Sequence, residues 1–278
     1  MNRKSHQILQ VNVIEYSTIS NAIALMRGCH HLSGLYHEPD GLLITGKDGT
    51  GKSTLVAHYL RKVLLKKGVL AMVMPSSASS QKIINIILAK LGYCSEKKMT
   101  MSKSSYLVEV LKEKEIGLLI IDEFHLIIDS NQNMISPEIQ DLLSEIQMQA
   151  KVAIVALGTP VCEMIVRQNP RLARLFSFHF ELQSFSHNKE FIKFLKKLNT
   201  QLPVEILSHL IEDDFLNQLI NVTDGLISKI IQFFITATDI AIAKEKNKIE
   251  YEEFTEAFDI ISSLNDKKKN PLNNTEYG

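Results

Sequence analysis

Residues 46 to 53 read Gly-Lys-Asp-Gly-Thr-Gly-Lys-Ser, and Gly46, Gly51, Lys52 and Ser53 satisfy the pattern G-x-x-x-x-G-K-[ST]. That spacing does phosphate chemistry. The glycines let successive backbone N–H groups turn inward around an anion, and a following helix adds the partial positive charge of its N-terminus. On this reading Asp48, Gly49, Thr50 and Thr54 complete the cradle. Lys52 reaches the β- and γ-phosphates, and the Ser53 hydroxyl ligates Mg²⁺. The flanks supply the context that a chance glycine turn lacks: Leu42-Leu43-Ile44-Thr45 reads as a buried strand, and the run from Thr54 to Leu60 as a helix. The chain is expected to bind a nucleoside triphosphate.

A second pair of residues extends the site. Gly117-Leu118-Leu119-Ile120-Ile121 reads as another buried strand and ends in Asp122-Glu123. Ligands of parallel sheets gather at the carboxyl ends of strands, which would set both acids beside the phosphate loop. Asp122 would hold the Mg²⁺ shell, and Glu123 would polarise a water for attack on the γ-phosphate. An acid pair after a strand also suits the cap of a following helix. A guanine-reading Asn-Lys-x-Asp is missing; Asn247-Lys248-Ile249-Glu250 comes nearest and reads as a solvated loop before a helix. ATP with Mg²⁺ is therefore the expected ligand pair.

Composition narrows the class. With 278 residues, 45% apolar and 22% charged, the chain suits one large domain and a small one. Net charge is zero, so any affinity for nucleic acid must come from local patches, summed over an oligomer if one forms. Cys29, Cys94 and Cys162 show no metal or redox spacing, which fits a reducing cytoplasm. His30, His31 and His37 lack the acidic or cysteine company of a metal site. Arg3 and Lys4 are followed by no apolar run, so no export signal is expected. The longest apolar stretch, Leu226 to Ala243, is interrupted by Lys229, Gln232 and Asp239, so no membrane span is expected.

The elements that must position these residues alternate. Strands are predicted at Leu42–Thr45, Val69–Met74, Leu118–Ile121, Val152–Leu157 and Phe178–Leu182. Helices are predicted between them at Ser53–Lys67, Gln81–Leu91, Tyr106–Lys114, Pro137–Gln149 and Pro160–Gln168. Such alternation implies a parallel sheet covered on both faces. After about residue 185 the strands are expected to stop. Lys189–Leu198, Asp214–Val222, Leu226–Ala243 and Glu252–Ser262 read as helices of a second domain over residues 186–262, with a polar tail over 263–278.

A P-loop core with a five-stranded parallel sheet over residues 1–185, followed by a small helical lid, is the AAA+ arrangement. That arrangement sets a polar sensor at the end of the fourth strand, where Thr159 stands; Thr159 before Pro160 also suits a helix start. It presents an arginine to the neighbouring subunit's γ-phosphate just before the fifth strand, where Arg171 and Arg174 lie. It offers Lys229, after Thr223-Asp224-Gly225, as a second sensor whose movement couples nucleotide state to shape.

The phosphate loop, Leu119-Ile120-Ile121-Asp122-Glu123, Leu157-Gly158-Thr159, Leu172-Ala173-Arg174-Leu175-Phe176 and Thr223-Asp224-Gly225-Leu226-Ile227 follow one another in an order that resembles the TniB/TnsC group of AAA+ DNA-transposition regulators. Two positions depart from that pattern. Leu175 stands between Arg174 and Phe176, and Lys229 replaces an arginine, losing its planar fork. The resemblance implies an ATP-dependent homo-oligomer, ring or helical filament, assembled around double-stranded DNA. It would mark an insertion target, receive a targeting subunit and recruit a transposase that stimulates hydrolysis and disassembly. It also implies DNA contacts from Lys82 and from the loop holding Lys97, Lys98, Thr100 and Lys103. These types suit phosphate positioning rather than base reading. Arg61, Lys62, Lys66 and Lys67 form a second basic cluster, read as a solvated helix face. Two alternatives stay open: a DNA-associated loader or initiator-type ATPase, and a nucleotide-gated scaffold with slow hydrolysis.

Overall fold

The computed structural model describes residues 14–32, 39–63, 68–93, 102–129, 134–206 and 213–264. Cys94, Lys97, Lys98, Thr100, His37, Lys66, Lys67 and residues 265–278 of the expected tail lie outside the described residues; the tail's first two residues, 263 and 264, instead end a helix.

Five strands carry the first unit: β1 (Leu42–Thr45), β2 (Val69–Val73), β3 (Leu118–Asp122), β6 (Ala153–Gly158) and β7 (Phe178–Glu181). They lie in the order β2-β3-β6-β1-β7 and every pairing is parallel. The three inner strands are buried at every position, as a sheet covered on both faces requires, and this is why they read as unbroken apolar runs. The two edge strands are more exposed. A short antiparallel pair, β4 (Ile128–Asp129) and β5 (Met134–Ile135), follows β3.

The connecting helices are α1 (Ser17–Leu32), α2 (Lys52–Val63), α3 (Ser80–Lys90), α4 (Lys103–Glu113), α5 (Pro137–Met148), α6 (Val161–Gln168) and α7 (Pro170–Leu175). Apolar residues at helical spacing seal α3, α4 and α5 into one core with the sheet: Ile83, Ile87, Leu107, Leu111, Ile139 and Leu143 are all buried against it. Neither α1 nor α7 is among the predicted helices. Asn169 starts α7 by accepting hydrogen bonds from the Arg171 and Leu172 amides. One cap moves a boundary. Ser102 accepts from the Ser105 amide at 3.1 Å and starts α4 at Lys103, three positions before the expected Tyr106. Lys103 is thereby in a helix, not in the expected basic loop.

One compact unit comprises Thr18–Asp48 and Lys52–Leu182. The other comprises the described residues from Gln183 to Leu264, with the described residues 14–17 and the three residues Gly49–Gly51. This second unit holds α8 (Lys189–Asn199), α9 (Asp213–Thr223), α10 (Ile227–Ala243) and α11 (Tyr251–Leu264). Its centre is aromatic. Phe254 stacks on Phe233 at 5.5 Å between centroids, meets Phe234 edge-on at 5.3 Å and touches Phe215 at 4.9 Å. Tyr16 packs on Phe185 and Phe194 of the same unit. The strands do not quite stop at residue 185: β8 (Glu205–Ile206) pairs in parallel with β9 (Lys248–Ile249). The expected solvated loop at 247–250 is thus a short strand, because Ile249 is fully buried.

Glu253, also fully buried, ties α10 to the start of α11. It accepts from the Glu250 amide at 3.0 Å, Lys246 Nζ at 2.8 Å and Lys244 Nζ at 3.3 Å. Burial opposes its charge, but Lys246, the Glu250 amide and Lys244 together hold the carboxyl below its ordinary value of 4.5. A depressed carboxyl contributes stability above its unfolded value and loses it as pH falls through the folded one. Glu253→Ala is expected to cost about 1–3 kcal/mol at neutral pH. In urea melts the gap to the wild-type protein should close as pH drops below 4.5.

Candidate phosphate-loop site

Strand direction decides where the site lies. Because β1, β6 and β3 are neighbours and parallel, the loops that leave their carboxyl ends emerge along one edge of the sheet. Register keeps them level: Thr45 lies opposite Gly158, and Ile121 opposite Ala156. The Gly46 amide continues the ladder, donating to the Gly158 carbonyl at 3.2 Å. With strands about 4.8 Å apart, Asp122 stands roughly 10 Å across the sheet from the end of β1.

The loop after β1 has the backbone that an anion cradle needs. Gly49 (φ 86°) and Gly51 (φ 96°) take left-handed conformations that residues with a Cβ rarely adopt. The Gly49 carbonyl accepts from the Ser228 amide at 3.1 Å, both residues belonging to the helical unit. Lys52 is buried, and its Nζ donates to the carbonyls of Gly46 at 2.7 Å and Lys47 at 3.1 Å. Asp48 Oδ1 is 3.5 Å away, but this carboxylate is 88% exposed and binds the ammonium weakly. Thr50 is buried; Ser53 and Thr54 are exposed on the first turn of α2. Backbone donors, a buried ammonium and an open hydroxyl at a helix N-terminus form the donor set that a phosphate chain takes.

The acid pair is built with unusual backbone. Asp122 is buried at the end of β3, and its Oδ1 accepts the Glu123 amide at 2.9 Å. Glu123 itself has φ 57° and ψ 36°, left-handed without being glycine. That geometry costs of order 1–2 kcal/mol and turns the chain abruptly into the 3₁₀ turn Phe124–Ile127. Phe124, buried edge-on against Phe176, anchors the turn. The acids therefore do not cap an α-helix. His125, which the sequence reading passed over, sets its Nδ1 3.5 Å from Glu123 Oε2. Its signal was its place two residues after the glutamate.

Thr159 follows β6 directly, at the same sheet edge. It does not cap α6. Pro160 holds that cap position, and no side chain caps the helix there. The Thr159 carbonyl accepts the Cys162 amide at 3.0 Å, and Cys162 is buried beside it. Gly158 makes this approach possible, since a Cβ there would lie 2.5 Å from Cys162 Sγ and 3.3 Å from the His125 amide nitrogen. Burial pushes the Cys162 thiol up to about 12, against the opposing pull of Thr159 and Lys52. Burial likewise raises Cys29, to about 11. Neither is a thiolate nucleophile at neutral pH.

Arg171 pairs with Asp141 at 3.2 Å, and Arg174 is exposed in the last turn of α7. In the helical unit, Lys229 is ion-paired with Asp224. Lys82 is exposed on α3 and donates to Ser77. Among the described residues no three His, Cys, Asp or Glu cluster to hold a metal alone. Mg²⁺ commonly takes one or two carboxylates with substrate phosphates, and the oxygens of Asp122 and Ser53 are of the type it would take.

Residues 4–187 match the bacterial TniB protein family. The chain belongs to the TniB family. A comparison with curated proteins finds no match. Among solved structures, the Aeropyrum pernix ORC1 protein in complex with DNA has a TM-score of 0.66 at 16% identity, covering 94% of this chain and 70% of that one. The Aeropyrum pernix ORC2 protein, solved as ADPNP–ADP complexes, has a TM-score of 0.61 at 16% identity over 92% and 70%. The Thermotoga maritima RuvB Holliday junction branch migration motor has a TM-score of 0.57 at 15% identity over 90% and 70%. These likenesses show the fold: a P-loop AAA+ core with a five-stranded parallel sheet.

The strain at Glu123 is testable in this TniB-family chain. Glu123→Gly removes the Cβ that disfavours the left-handed backbone. Thermal melts should show unchanged stability or a gain of up to about 1 kcal/mol, whereas glycine elsewhere in an ordered segment costs a comparable amount. A loss of more than that would mean the Glu123 side chain is itself a stabilising contact.

Proposed function

We propose that this chain is an ATP-dependent, DNA-binding transposition regulator. It oligomerises on double-stranded DNA as a ring or filament, marks the target, receives a targeting subunit and recruits the transposase. The observation that carries the reading is the family match, joined to a sheet edge bearing the phosphate loop, Asp122-Glu123 and Thr159 together.

Each residue has a role on this reading. The backbone of Gly46, Asp48, Gly49, Thr50 and Gly51, with Lys52 and Thr54, holds the phosphates. Ser53 and Asp122 would hold Mg²⁺, which neutralises charge on the phosphate oxygens when bound. Glu123 takes a proton from the attacking water as its oxygen bonds to the γ-phosphorus; the bond to the bridging oxygen breaks and its electron pair leaves with ADP. Thr159 orients that water. Arg174 serves a neighbouring subunit's γ-phosphate. Lys229 is the second sensor, released from Asp224 when phosphate competes for it.

DNA contact is proposed through Lys82 and Lys103, with Lys97, Lys98 and Thr100 outside the described residues. Lys82 would exchange its Ser77 partner for a DNA phosphate. Few contacts per subunit suffice when they repeat along a duplex. The likeness to an ORC1 protein solved with DNA supports DNA association, and equally favours an initiator- or loader-type ATPase as the second reading. A cytoplasmic location is proposed; among the described residues no single helix is long and apolar enough to cross a membrane.

Negative-stain electron microscopy of the protein with linear duplex DNA tests the reading. Rings or filaments on DNA are expected with ATP or a non-hydrolysable analogue and not with ADP. Nucleotide-dependent oligomers indifferent to DNA would favour the loader or scaffold readings. Lys52→Ala should lose nucleotide binding and all assembly, and normal ATP-dependent assembly in that variant would sink the site. Glu123→Gln should bind ATP, hydrolyse it at least 10²-fold more slowly and lock the assembled form. Blocked assembly would instead make Glu123 structural.

A further inference from the structure

We propose that His125 is a positioning residue for Glu123, holding one carboxylate oxygen so that the other faces the attacking water. The proposal rests on the ATPase reading above and adds to it a residue with no role there.

His125 Nδ1 is buried and makes no hydrogen bond, although its ring is 27% exposed. Orphaned buried nitrogens are rare in folded proteins, so the exception calls for a partner. The Glu123 Oε2 atom stands 3.5 Å away, at the outer limit of contact, on a side chain 37% exposed. A shift of roughly 0.5 Å closes that gap to an ordinary hydrogen bond. Catalytic hydrogen bonds are commonly long before the reactants are in place. With its proton on Nδ1, the imidazole donates to Oε2 and leaves Oε1 as the oxygen that receives the water's proton.

The surroundings hold the two residues in this relation. Glu123 is fixed from below by the left-handed turn and by Asp122 Oδ1 on its amide. The Glu123 carbonyl accepts the Leu126 amide at 3.0 Å, closing the 3₁₀ turn that carries His125. On the far side, glycine at 158 lets the His125 backbone approach the end of β6. A glutamate side chain left alone on such a turn would sample several rotamers, few of them aimed at the water. Pinning one oxygen removes that freedom without touching the substrate.

Steady-state ATPase assays on the full chain, with and without duplex DNA, test this in His125→Ala, His125→Asn and His125→Gln. A fluorescent ATP analogue titrated into each variant reads binding separately. His125→Ala should lower kcat at least tenfold and up to 10²-fold while KM and analogue affinity stay within about twofold. His125→Asn, whose amide nitrogen stands near the position of Nδ1, should recover most of the loss. His125→Gln, whose nitrogen stands nearer that of Nε2, should not. Wild-type kcat in His125→Ala, or equal rates in the Asn and Gln variants, would overturn the proposal. Should His125→Ala fail to fold by circular dichroism, the Asn and Gln pair alone decides. A wild-type protein that never turns over ATP removes the ATPase reading and this role with it. That result is distinct from an active wild type matched by its alanine variant.

Discussion

Parallel alignment of the five strands is the constraint on which the rest depends. A parallel ladder forces every crossover to return to the same starting edge, so every loop that leaves a strand's carboxyl end shares the opposite one. The order β2-β3-β6-β1-β7 then makes neighbours of three segments far apart in the chain: the phosphate loop after β1, the acids after β3 and Thr159 after β6. Burial on both faces keeps the inner strands at the centre of that order, since a place at the sheet's edge would expose Leu119, Ile121, Ile154 or Ala156. The site is a by-product of sheet geometry, sharpened by a few local devices.

Those devices are concentrated in the backbone. Gly49, Gly51 and Glu123 all hold left-handed conformations, but only the first two are glycine. Strain at a glutamate is tolerated because Asp122 Oδ1 grips its amide and Phe124, one residue on, is locked into the core. Gly158 performs a different service: it carries no strain, and its missing side chain lets Cys162 and the His125 backbone come close. Polar groups here are arranged by what is buried behind them.

The helical unit is stabilised by other means. An aromatic group around Phe254 forms its centre, and Glu253, next along the chain, anchors the start of α11 to two lysines. Lys229 lies on α10 in the same unit, so a residue proposed to read phosphate is mounted on a well-packed helix. Rigid mounting is what a sensor needs if its displacement is to report a ligand.

Local pattern alone determined much of this protein. The phosphate loop, the five strands to within a residue or so at each end, and most helices were legible. Buried parallel strands read as apolar runs, and amphipathic helices repeat at 3.6 residues. The family was legible too, from short motifs in a fixed order. Elements whose cause lies far off in the chain were not. The β8–β9 pair needs Ile249 to be buried by packing, and α7 is too short for a periodic signal, depending on its Asn169 cap. Lys103 moved from loop to helix because Ser102 caps α4. Above all, the tertiary structure decided the relation of His125 to Glu123. The sequence sets them two residues apart, but only the left-handed turn and the close approach at Gly158 bring a buried nitrogen to that carboxylate. Spacing along a chain specifies periodic elements; the distance between two side chains across a turn depends on what is packed behind it.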